Sequence, residues 1–158
     1  MNTGHGVRFL VMSAAVCAGV AMAELAHAQT LDLTLSTPSV TFASADPDTT
    51  PSIAAAAVTV TYRVRDNAGG GWRITVLAGG DLTAGAATIP INLVTWTATP
   101  APPFQNGTMS QTMAQTLASG SGNVQAFRNG TVVFRLENRW THNTGIYTTS
   151  IGFTLVAP

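Results

Sequence analysis

The sequence predicts an all-β protein, an antiparallel β-sandwich of Ig-like type with about seven to nine short strands. Three observations point there. Charged residues make up only 9% of the chain, lysine is absent, and Thr, Ala and Gly dominate over the strong helix formers. Apolar and polar residues alternate with the period of a half-buried strand in most segments. Turn residues separate those segments, with no helical stretch between consecutive strands, which argues against a parallel α/β sheet.

The first 28 residues read as an export signal outside the fold. Arg8 supplies the positive start, Phe9 to Ala23 the apolar stretch, and Ala26-His27-Ala28 an A-x-A site with cleavage after Ala28. The apolar run is too short for a stop-transfer helix, so no stable membrane anchor is expected after cleavage. The segment from Gln29 onward has roughly 130 residues, the size of one ordinary domain with an adequate core.

Leu31, Leu33 and Leu35 alternate with Asp32, Thr34 and Ser36, which predicts a strand. Pro38 interrupts it, and Val40-Thr41-Phe42 reads as a short continuation. Asp46 to Pro51 has loop chemistry. Ala54 to Ala57 has helical composition but runs directly into the clearest strand, where Val58, Val60, Tyr62 and Val64 share one face and Thr59, Thr61, Arg63 and Arg65 the other. Asp66 to Gly71 is a hairpin-like connection whose glycines permit positive φ. It delivers a strand with Trp72, Ile74 and Val76 on one face, closed by Gly79-Gly80-Asp81.

Leu93 to Ala98 forms a further strand around Trp96, ended by Pro100, Pro102 and Pro103. Between Gln105 and Asn123 the pattern weakens. Met109, Met113 and Leu117 are spaced for one short helix, with an irregular loop over the sandwich as the alternative. Val124 to Phe127 leads to Asn129-Gly130, a type I′ turn signal. Val132, Phe134 and Leu136 mark the next strand, Asn143-Thr144-Gly145 the last turn, and Tyr147 to Leu155 the terminal strand.

The chemistry-bearing residues are few. The segment after Ala28 has no cysteine, and His142 is its one histidine. Its arginines balance Asp32, Asp46, Asp48, Asp66, Asp81 and Glu137, so there is no electrostatic footprint for nucleic acid. A lone histidine without cysteines does not make a transition-metal site, and no nucleophile motif accompanies it. Asp46 and Asp48, with Asp66 or Asp81, match no calcium loop, and loop aspartates commonly cap turns. Asn106-Gly107-Thr108 and Asn129-Gly130-Thr131 satisfy the glycosylation pattern but read equally as turns. Arg63 and Arg65, with Arg73 on the next strand, form either a basic stripe or a solvated face. Trp72, Trp96, Phe127, Phe134, Tyr147 and Phe153 sit at inward-phased positions and are expected in the core. Trp140 follows Arg139 near a turn and is expected to be exposed, an aromatic contact for a sugar face or a protein partner. No catalytic residue, cofactor or metal is expected.

Two strands carry a family likeness. Asp66-Asn67-Ala68-Gly69-Gly70-Gly71-Trp72-Arg73-Ile74 resembles the proximal motif of WxL domains, secreted bacterial surface proteins in which an aspartate and a glycine-rich turn precede a W-x-L strand. Ile151-Gly152-Phe153-Thr154-Leu155 near the end is similar to their distal motif, and Leu31 to Phe42 to their opening strand pair. Ile74 stands where the first motif has leucine, and Phe153 where the second has tryptophan. The resemblance implies a β-sandwich and non-covalent attachment to the bacterial cell wall through peptidoglycan, with Trp72, Ile74, Phe153 and Leu155 in the motif role. The function so implied is that of a secreted, non-catalytic cell-surface module whose partners are peptidoglycan or other surface proteins. The alternative is a self-associating subunit of a surface layer or pilus-like fibre, assembled through edge strands.

Overall fold

The computed structural model describes residues 29–65, 69–143 and 145–157. The first 28 residues, where an export signal and its cleavage are expected, and Asp66-Asn67-Ala68, Thr144 and Pro158 lie outside the described residues. The elements are strands β1 (Thr30–Leu35), β2 (Ser52–Ala54), β3 (Val58–Arg65), β4 (Gly71–Ala78), β5 (Leu82–Ala84), β6 (Ala87–Ile89), β7 (Val94–Thr99), β8 (Gly107–Thr108), β9 (Gln115–Ser121), β10 (Val124–Glu137) and β11 (Ile151–Val156). A single 3-10 turn at Ile91–Leu93 precedes β7. The all-β prediction holds, and antiparallel sheets pack against each other as a sandwich. The eleven strands exceed the expected number because β2, β5, β6 and β8 are two or three residues long.

One sheet runs in the order β1-β3-β10-β7-β8, with β2 pairing the far end of β10; a second runs β11-β4-β9, and β5 and β6 form a separate two-stranded sheet. The inner faces of the two larger sheets meet through the phase read from the sequence. Val58, Val60, Tyr62 and Val64 from β3, Val94, Trp96 and Ala98 from β7, and Val132, Phe134 and Leu136 from β10 face Trp72, Ile74, Val76 and Ala78 from β4. Fully burying side chains of this size contributes about 1.5–3 kcal/mol each. Aromatic contacts stitch the sheets together: Tyr62 lies 4.9 Å from Trp72, and Phe134 meets Phe153 edge-on at 6.5 Å.

The register gives the sandwich two distinct poles. β3 pairs Val64 with Leu31 and with Val124 at one end, and Val58 with Val132 at the other. β10 continues past Val132 to Glu137, where it pairs with Ser52. The start of β4 and the end of β11 lie at the first pole, since Trp72 packs on Tyr62 and Val156 pairs with Arg73.

Several expectations are corrected. β3 and β4 belong to different sheets, so they do not pair as the expected hairpin. Arg73 therefore shares no sheet face with Arg63 and Arg65, and Arg63 is paired to Asp32 at 2.8 Å. Val40 and Phe42 pack against the core without forming a strand. Met109, Met113 and Leu117 form no helix: Met109 and Leu117 are buried, while Met113 is 67% exposed. β8 and the edge strand β9 occupy parts of the segment, and residues 109–114 between them are irregular, as the loop alternative expects.

Asn129-Gly130 is not a turn but lies inside β10, with Gly130 opposite Val60. The glycine is needed for space, because a Cβ there would fall inside the Phe104 ring. The true turn into β10 is at Gly122, where φ is +71°. Phe127 is also misplaced by simple alternation. A bulge between Val124 and Arg128 breaks the β10 register, and Phe127 emerges 54% exposed under the Arg63 guanidinium, 4.3 Å from its ring centre.

Candidate functional site

The two strands singled out by the WxL likeness are hydrogen-bonded neighbours. β11 pairs with β4 in antiparallel register, placing Leu155 opposite Ile74 and Phe153 opposite Val76. Alternation turns all four motif side chains inward. Trp72 and Ile74 are fully in the core, and Phe153 and Leu155 are half-buried against it. Trp72, Ile74 and Phe153 thus act first as packing residues.

At the pole where β4 begins and β11 ends lies an open groove of about 580 Å³. Leu31, Trp72, Leu155, Val156 and Ala157 give it an apolar lining, and Arg73 and Ser119 stand at it as polar groups. Trp72 and Leu155 are the motif residues that reach it; Ile74 and Phe153 do not. The glycine before Trp72 and the glycine across from it have different tasks. Gly71 pairs with Ser121, while Gly120, opposite Trp72, lets the indole lie flat on β9, where a Cβ would meet the ring at 2.6 Å. Trp72 is 5% exposed and its Nε1 is buried without a hydrogen-bond partner among the described residues. An orphan donor of that kind costs about 1–3 kcal/mol.

The opposite pole is polar. Trp140, expected to be exposed, is 69% exposed, and its Nε1 donates to Asp48 Oδ1 at 3.0 Å. Two segments meet here. Asn138 donates from Nδ2 to the carbonyls of Ala45 and Thr50 and from its backbone N–H to Pro51, which fastens the end of β10 to the 45–51 loop. Asp46 accepts the Asp48 N–H at 2.9 Å and shapes that loop as an Asx turn. Glu137 and Arg139 form an exposed ion pair at 2.7 Å; the hydrogen bond from Arg139 holds the Glu137 carboxyl below its ordinary range. His142 donates its backbone N–H to Arg139 and lies near enough to Glu137 to add to that depression.

The remaining expected residues are dispersed. Asp81 accepts the Ile91 N–H at 2.9 Å, far along the chain from Asp46 and Asp48, and Asp66 lies outside the described residues. Among the described residues no three His, Cys, Asp or Glu side chains gather as a metal site. Asn106 and Asn129 direct their side-chain carbonyls to Ala98 N–H and the Thr61 hydroxyl, each at 2.9 Å. No known family model matches the chain, and no characterised protein matches its sequence.

Proposed function

We propose that this chain is a secreted, non-catalytic cell-surface module that associates non-covalently with cell-wall peptidoglycan or with other surface proteins. One observation supports this most: the two strands that resemble WxL motifs pair directly, and Trp72 and Leu155 from them line one apolar groove with Arg73 and Ser119 beside it. A groove with an apolar floor and a few polar groups is suited to holding a ligand in a fixed orientation.

The test is sedimentation of the purified protein with insoluble peptidoglycan. Ser119→Trp fills the groove mouth, and Arg73→Glu reverses its cation; both residues are exposed, so both variants keep the core. Binding by the parent chain with at least tenfold loss in both variants is the expected result. Absence of sedimentation by the parent chain sinks the wall-binding reading.

The edge strands favour the second reading, a self-assembling surface subunit. Among the described residues β1 and β11 each pair on one side only, and Leu31 and Leu35 on β1 remain partly exposed. Analytical ultracentrifugation separates the two: a concentration-independent monomer rules out the subunit.

A further inference from the structure

We propose that Trp140 and its two clamped segments form a second binding site, a stacking platform for a pyranose ring of a polysaccharide. The site lies at the pole opposite the groove and stands independently of it.

An indole left in water is ordinarily a mobile side chain with its N–H solvated. Here the N–H is engaged by Asp48, and the ring remains 69% exposed. With its in-plane polar group satisfied internally, the residue offers a partner only its apolar face. Its frame is held on both sides. Asn138 makes three hydrogen bonds to the 45–51 loop. The loop is closed on itself by Asp46, whose carbonyl accepts Thr50 N–H at 2.8 Å, and the turn carrying Trp140 is closed by His142 N–H to Arg139 at 3.0 Å. These bonds hold the platform before any ligand arrives, which reduces a cost that binding otherwise carries.

The surroundings select the ligand class. The neighbouring chain positions are Asp46, Asp48, Thr49, Glu137, Arg139 and His142, groups that donate to or accept from hydroxyls. A protein interface centre is a contiguous apolar patch depleted of charge. One apolar ring in a polar field instead complements a pyranose, whose axial C–H groups pack on a π-face by dispersion while its equatorial hydroxyls point outward to polar partners. Ile146, also strongly exposed on the connection that leads to β11, provides a control for non-specific apolar contact.

Three tryptophans make the test direct. Trp72 and Trp96 are buried, so iodide-quenchable fluorescence reports Trp140 alone. Titration with soluble chitooligosaccharide, and separately with cello-oligosaccharide, is expected to protect Trp140 saturably from iodide with at least one of them. By isothermal calorimetry, Trp140→Ala should then weaken that sugar at least tenfold. Asp48→Ala, which frees the ring, should weaken it several-fold, and Asp48→Asn, which keeps an acceptor oxygen, should bind nearly as the parent does. The groove-filling Ser119→Trp and the control Ile146→Ala should leave sugar affinity unchanged. Protection by neither sugar, or equal affinity in a folded Trp140→Ala variant, overturns the proposal. A loss caused equally by Ile146→Ala overturns it as well, since the Trp140 ring would then not be the specific contact that holds the sugar.

Discussion

Trp72 and Trp140 invert each other's environment. Trp72 is buried with its N–H unpaired; Trp140 is exposed with its N–H bonded to Asp48. The difference separates two quantities that are often treated as one, burial of the ring and satisfaction of its polar edge. At the groove pole the protein accepts an orphan donor because the ring is needed to join the sheets against Tyr62. At the other pole the ring contributes little to the core, and its hydrogen bond serves to fix orientation. Stability and exposed chemistry are thus assigned to different ends of one sandwich.

The largest break of this comparison is truncation. Trp72→Ala should cost about 3–5 kcal/mol in urea unfolding, because the ring spans both sheets and the cavity cannot collapse. Trp140→Ala should cost within about 1 kcal/mol, the worth of one hydrogen bond at the surface. Equal losses would erase the distinction between the poles.

The next effect comes from glycines that seat aromatic rings. Gly120→Ala places a methyl against the Trp72 indole, and Gly130→Ala places one inside the Phe104 ring. Overpacking of this kind should lower stability by about 1–3 kcal/mol in each. Gly69→Ala tests the contrast, because nothing lies within 4 Å of it and its cost comes from a φ of +82° alone.

These glycines explain much of what was legible in the sequence and what was not. β3, β4, β7 and β11 were all visible as alternation, because each has one face on the core and one in water; β1 alternates as well, but only its Leu33 packs on the core. Asn129-Gly130 misleads because a local turn signature competes with a distant ring, and nothing near position 130 announces Phe104. The same holds for Phe127, whose phase is reset by a bulge that alternation cannot register. The pairing of the first and last motif strands was also hidden, since register between strands that far apart is a tertiary property. At the polar pole, Trp140 was readable as exposed from its place near a turn after Arg139. Its partner was not, because Asp48 stands 92 residues away.

A finer comparison uses the third indole. Trp96 is buried like Trp72, but its Nε1 donates to the Gln105 carbonyl at 2.9 Å. Replacement by phenylalanine removes a similar volume from each site. Only at Trp96 does it also break a hydrogen bond, while at Trp72 it removes an unsatisfied donor. Trp96→Phe should therefore destabilise more than Trp72→Phe by about 1 kcal/mol in paired urea titrations. The opposite order would mean that the Trp72 N–H has a partner in solution.

The smallest effects are in pH, and the two poles should respond at opposite extremes. Burial pushes the Tyr62 phenol, against Trp72, above its ordinary value of 10.0, with Arg128 pulling weakly the other way. The neutral phenol's contribution is complete below pH 10.0 and is lost as pH rises through the raised folded value. Glu137, immediately before Asn138, has the opposite sign. Arg139 holds its carboxylate below 4.5, so the contribution of the ionised form is present above that value and is lost as pH falls through the lowered folded one. Because the pair is exposed, global stability should barely move. What should change is local: acidification should loosen the 137–139 link beside Trp140 and leave the groove pole untouched. Carbon-detected NMR titration of Glu137 should give a midpoint below 4.5 in the parent and a return to the ordinary range in Arg139→Ala, with Tyr62 shifts flat across the same acid window. Concerted movement of Glu137 and Tyr62 signals would mean that the two poles are coupled through the sandwich and do not act as separate sites.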